Sequence, residues 1–225
     1  MTENAQRLTF AEEIMLLLLD DEEGEMASVD AWMLKCILAG AVLMDLALRD
    51  RIDMDLQHLF VIDETPTGDP SLDTTQAILA AAKDDDRKSG KAWIEQIASG
   101  SENFALVALK RLVTRGILVE QENRFLWRLQ SRTYPTIDGE AEREVRARIQ
   151  AILFSDEAPD PHDIVIINLA DACGLFGAIL GEHDSEIRER IEHIRHMDLI
   201  GQAMTDAIRE IQGAVALSGY GAPVV

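Results

Sequence analysis

Residues 34–51 read LKCILAGAVLMDLALRDR. From Cys36 to Leu48 the only charged residue is Asp45. A helix that is apolar nearly all round has no solvent face and belongs inside a packed core. Thirteen residues are too few to cross a bilayer, which takes about 20. The stretch therefore reads as the central core helix of a domain. Gly40 and the alanines at 39, 41 and 47 would let neighbouring helices approach closely.

Working outward, 225 residues make one large domain or two small ones, and 47% hydrophobic residues suffice for a sizeable core. We find no internal repeat and no composition shift that would divide the chain. The expected organisation is a flexible start over 1–7, one helical domain over 8–217 and a flexible tail over 218–225. The net charge of −20 and the pI of about 4.5 argue against non-specific nucleic-acid binding and broad attraction to anionic lipid. Cys36 and Cys173 lie in apolar helical text and read as reduced core residues. No secretory leader pattern and no transmembrane stretch is expected, so the chain reads as cytoplasmic.

The chain order is mostly helical. Thr9 and Glu12 have capping-box spacing, so a helix starts near Phe10 and ends in the acidic turn at 20–24. Ser28 or Asp30 caps the central helix. Residues 52–63 read as extended, and Asp63 to Pro70 as a dense turn. Ser71 and Ser101 are the expected caps of two further helices, with a short helix around Trp93 between them. Strands at Ile117–Val119 and Phe125–Leu129 would flank a turn at Glu120–Arg124. Helical text resumes at Glu140, and Ile164–Leu180 reads as a second nearly apolar helix. Amphipathic helices follow from Ser185 and around Ile200–Val215.

Few features suggest chemistry. The helix and hairpin at 102–129 carry Lys110, Arg111, Arg115, Arg124, Arg128 and Arg132, so they could end a winged helix or simply cover the core. Phe125, Leu126 and Trp127 are consecutive. Neighbours in a strand face opposite ways, so this hairpin either exposes an apolar residue to a membrane or partner, or is covered on both faces. His193 and His196 stand three apart on a helix, without a third ligand at recognisable spacing. No phosphate loop, dinucleotide fingerprint, nucleophile elbow or zincin motif occurs. The chain reads as no enzyme, needs no cofactor and ligates no metal.

Seven stretches, in order, resemble one family. They are LTFAEEIMLLLLDDEEG (8–24), LMDLALRDRI (43–52), DETPTGDPSLD (63–73), AWIEQIASG (92–100), KRLVTRGIL (110–118), NRFLWRL (123–129) and DIVIINLADACGLF (163–176). Together they are similar to the GPP34 (Golgi phosphoprotein 3) domain, with Asp45 where that family has a glutamate and Asp50 where it has a glycine. The resemblance implies a mainly α fold: a helical domain around a buried central bundle, with one protruding β-hairpin. It also implies a peripheral membrane adaptor that binds phosphatidylinositol 4-phosphate and inserts the hairpin tip into the bilayer. The family's headgroup aromatic falls near Asp30, with Trp32 two residues away. Its arginine in the central helix falls at Ala39, and its pair before KRLVTRG falls at or near Glu102 and Ala105.

The resulting expectation is a lipid-binding, acidic GPP34-like adaptor with a poorly preserved headgroup site. The headgroup candidates are Trp32, Lys35, Arg49, Lys110 and Arg111, and the membrane or partner hairpin is Phe125, Leu126 and Trp127. The expected partner is an anionic phospholipid membrane surface or a protein; nucleic acid is not expected, and homo-oligomer formation stays open. The departures from the pattern read as a divergent, bacterial member. The alternative is a cytoplasmic protein–protein interaction module that has lost lipid binding.

Overall fold

The structure is a computed structural model, and it describes residues 7–19, 29–55, 58–82, 88–123, 131–137, 139–155, 157–176 and 185–217. In chain order the elements are α1 (Phe10–Leu18), α2 (Ala31–Ala47), β1 (Ile52–Met54), β2 (Leu59–Val61), α3 (Pro70–Ala80), α4 (Gly90–Ala98), α5 (Phe104–Thr114), β3 (Gln121–Asn123), β4 (Ser131–Thr133), α6 (Glu140–Leu153), α7 (Pro161–Ala172), α8 (Ser185–Arg195) and α9 (Leu199–Leu217). The fold is mainly helical, as expected, with two small antiparallel hairpins among the described residues.

Helix α2 is the axis of the molecule. Every residue from Cys36 to Leu46 is buried, and α1, α3, α4, α5, α7 and α9 all pack on it. Asp30 caps its start, accepting from the backbone N–H groups of Trp32 and Met33 at 3.0 Å. At Gly40 α9 packs close: a β-carbon there would stand 3.0 Å from Ile208 Cδ1. The single buried charged residue of α2, Asp45, has a structural task. Its Oδ2 accepts the Phe10 backbone N–H at 3.1 Å, which fastens the first turn of α1 to α2. That N–H is one of the helix-start donors that has no intrahelical partner.

Several caps and boundaries differ from expectation. Asp69, rather than Ser71, caps α3, with Pro70 in the first helical position, where its missing N–H costs nothing. Asn103, rather than Ser101, caps α5. Gly90 is the first residue of α4, behind the cap Ser89. Helix α7 ends at Ala172, short of Leu180, because Gly174 takes φ +69°, the left-handed turn that commonly terminates helices.

The middle hairpin is longer than expected. Val119 N–H donates to the Pro135 carbonyl and Ile137 N–H to that of Ile117, each at 3.0 Å. Leu118 pairs with Thr136, and the same register continues as Gln121–Thr133, Glu122–Arg132 and Asn123–Ser131. The polar residues 121–123, expected in a turn, therefore lie in a strand. Backbone pairing, open to polar residues as well as apolar ones, overrides the turn-like polarity of 121–123. Residues 124–130, including Phe125, Leu126 and Trp127, lie outside the described residues.

Candidate functional site

The cationic residues singled out from sequence do not meet in one place. Trp32 and Lys35 are in the first turns of α2, while Arg49 lies just beyond its end. At 1.5 Å per residue that is about 20–25 Å of helix. Trp32 is half-buried against the core and Lys35 is exposed. The family's other headgroup positions carry no cation. Ala39 is fully buried, and Glu102 Oε1 accepts the Ser71 hydroxyl at 2.6 Å. Lys110 is exposed on α5.

Arg49 and Arg111 do come together, and two arginines outside the headgroup candidates, Arg7 and Arg115, join them. Arg7, Arg49, Arg111 and Arg115 line one open cavity of about 490 Å³, with Asp69 the single acidic residue of its wall. Local sequence explains each position. Arg7 is two residues before the capping-box Thr9 that starts α1. Arg49 follows the last turn of α2. Arg111 and Arg115 are one helical turn apart at the end of α5 and so share a face. Gly68, at φ +83°, carries the chain around the opposite rim, in a turn held by Thr67, whose N–H and hydroxyl both donate to Asp73 Oδ1 at 2.6 and 2.7 Å.

Buried carboxylates hold these guanidinium groups from below. Glu12, fully buried, takes Arg111 Nε at 3.4 Å and Arg115 Nε at 3.3 Å. Arg111 Nη1 also donates to Asp69 Oδ2 at 2.5 Å. Arg7 is loosely tied, 3.7 Å from Asp160 and 3.9 Å from Asp163, and its carbonyl accepts from Arg115 Nη2 at 3.4 Å. Among the described residues Arg49 makes no side-chain hydrogen bond or ion pair; it feels Asp45 only at longer range.

Arg7 and Arg49 also wall a second cavity of about 310 Å³, completed by Leu8, Asp45, Asp160 and His162. Burial pushes the Asp45 carboxyl up to about 7, against the pull of Arg49. It does the same to Glu13, up to about 7, although Arg148 bonds Glu13 at 2.7 Å. Burial, then the charges of Arg7 and Arg148, hold His162 down to about 3, a neutral ring stacked on Phe10 at 4.4 Å.

Three helices begin around the paired cavities: α1 behind Thr9, α3 behind Asp69 and α7 behind Asp160. Each start adds a partial positive charge to the four arginines. The cap side chains take up only some of the free N–H groups, at Glu12, Ser71 and Asp163. Among the described residues, no cluster of three His, Cys, Asp or Glu could hold a metal ion, and no helix is long and apolar enough to cross a membrane.

Comparison with known proteins agrees with the architecture. The family model described as Golgi phosphoprotein 3 (GPP34) matches residues 10–211. A vacuolar protein sorting-associated protein 74 from Eremothecium gossypii is 26% identical over 219 residues, covering 81% of this chain and 64% of that protein. The protein of the same name from Schizosaccharomyces pombe is 27% identical over 171 residues, covering 68% and 50%. The chain thus spans between half and two thirds of these curated relatives. Both are fungal, and nothing in the comparisons supports the bacterial origin expected from sequence. With most of its length matched, the chain belongs to the GPP34 (Golgi phosphoprotein 3) family.

Proposed function

We propose that this chain is a non-catalytic peripheral adaptor at the cytoplasmic face of a membrane, docking through its long hairpin. The observation that carries the reading is the outward face of the hairpin base. Strand neighbours alternate, so Ile117, Val119, Pro135 and Ile137 share one face, and Leu118 and Tyr134 the other. The second face is anchored in the core, with Leu118 1% and Tyr134 7% exposed. The first is apolar and open: Val119 is 42% and Ile137 56% exposed. An exposed apolar face at the hairpin base suits a bilayer edge or a protein groove, and the sequence between the strands carries Phe125-Leu126-Trp127. Phosphatidylinositol 4-phosphate is the lipid implied by the family resemblance.

A second reading has its own support. A phosphate with two charges needs converging cations or N–H groups, and the family's positions hold Ala39, Glu102 and Ala105 instead. A protein partner for the same hairpin accommodates that loss. Liposome flotation with and without phosphatidylinositol 4-phosphate, on wild type and Trp127→Ala, decides between them. The adaptor reading expects lipid-dependent flotation that drops at least about tenfold in the variant, the loss of one buried aromatic contact. Absence of flotation with any anionic liposome at low salt, where electrostatic attraction is strongest, leaves the protein module.

A further inference from the structure

We propose that the four-arginine cavity is a binding site for a multiply charged phosphate, of the phosphomonoester or pyrophosphate type. Its lining holds none of the family's headgroup positions, Ala39, Glu102 and Ala105, although Glu102 bonds Ser71 of its wall. The inference does not depend on the hairpin reading.

The argument starts from charge. Arg7, Arg49, Arg111 and Arg115 face one opening whose wall holds one carboxylate, Asp69. Four like charges around a shared space repel one another, and a structural network would separate them or pair each one. Here the pairing is uneven. Glu12 and Asp69 engage Arg111 and Arg115 from below. Arg7 has only contacts of 3.7 and 3.9 Å, and Arg49 has no ion pair among the described residues. A guanidinium offers five N–H donors in a rigid fork, more than these carboxylates use. The edges that Arg7 and Arg49 leave unused form a preorganised donor set for a tetrahedral oxyanion.

Three further features agree. The starts of α1 and α3 adjoin the cavity, adding N-terminal dipole charge. Gly68 brings backbone to the rim with no side chain in the way; nothing lies within 4 Å of where its β-carbon would be. The volume, about 490 Å³, falls in the range of small-molecule sites, roughly 300–1,000 Å³. The total charge of −20 does not forbid this. Screening confines exposed charges to a range of about 8 Å at physiological salt, so the local cluster governs the bound state. Four guanidinium forks around one opening match an anion with several charged oxygens better than a singly charged one.

The test is calorimetric titration of inorganic pyrophosphate into the full chain. Wild type is expected to bind one equivalent saturably. Arg49→Ala is expected to weaken binding about tenfold, the loss of one charge-assisted contact. Arg49→Lys keeps the charge but not the fork and falls between the two. Arg49 has no ion pair to lose, so both variants keep the wild-type melting temperature. Lys35→Ala, at the far end of α2, and Trp127→Ala, on the hairpin, bind pyrophosphate as wild type does. Flotation on phosphatidic acid vesicles that free pyrophosphate reverses makes the natural source a lipid. Pyrophosphate binding without flotation makes it a soluble phosphate. Absence of saturable binding by wild type, or an equal loss in Lys35→Ala and Arg49→Ala, overturns the site.

Discussion

The two ends of α2 are built differently. At its start, Asp30 caps the helix, Trp32 lies half-buried on the core, and Lys35 extends into solvent. The charges there are single and well hydrated. At its end, the helix runs into a meeting of three helix starts, four arginines and buried carboxylates that include Glu12, Glu13 and Asp45. The same helix thus has one end that solvent satisfies and one that must be satisfied by the protein. A charge at the first end contributes little to stability. A paired charge at the second, such as Arg111, is one member of a network, and removing it strands a partner in low dielectric.

The comparison breaks most sharply at Arg111. Arg111→Met deprives buried Asp69 of its ion pair and leaves Glu12 with Arg115 alone. A loss of about 3–5 kcal/mol is expected by chemical denaturation. Lys35→Met at the other end should stay within about 0.5 kcal/mol. Comparable losses in both would mean that the two ends are energetically alike.

The next effect is on pH. Asp45, 7% exposed, titrates near 7 in the folded chain and near 3.8 when unfolded. The folded state therefore holds the proton more tightly. The stability that Asp45 contributes is complete below about pH 4 and disappears as pH rises through 7. Relative to Asp45→Asn, wild type should lose about 2–4 kcal/mol between pH 4 and pH 8, a discounted conversion of the shift. Parallel melting series for the two proteins give the difference directly. A difference independent of pH would show that Asp45 keeps one protonation state in both folded and unfolded chains. Glu13 acts in the same direction. His162, held down to about 3, acts oppositely, losing its contribution as pH falls from about 6.5.

The smallest effect sharpens the geometry of the cavity end. Asp50 takes φ +54°, the single positive value at a non-glycine among the described residues. Asp50→Gly should relieve about 1 kcal/mol of left-handed strain, read as a higher melting temperature with pyrophosphate affinity unchanged.

The sequence made the centre of the fold legible because an all-apolar helix has only one place to be. The caps at Thr9 and Asp30 were legible for the same local reason. The site was half legible. Arg49 and Arg111 were among the candidates, but Trp32 and Lys35 were grouped with them, since spacing along a helix does not say which end meets other helices. Arg7 and Arg115 are 108 residues apart, and only tertiary packing joins them. The available signals were an arginine just ahead of a capping box and arginines in the last turn of α5. The hairpin turn was misplaced because Gln121, Glu122 and Asn123 have turn-like polarity while their pairing partners, 131–133, carry the register.

That register has a consequence for how the arm can vary. From Ile117 to Asn123 and from Ser131 to Ile137 the partners keep a single offset, without a bulge. Two residues added to each strand would carry the tip about 7 Å farther from the core and show the same face. One residue added to a single strand would turn every side chain beyond it to the other side. Paired insertions would therefore set how far the protein reaches, and unpaired ones would reverse what it presents, with the helical body unchanged in either case.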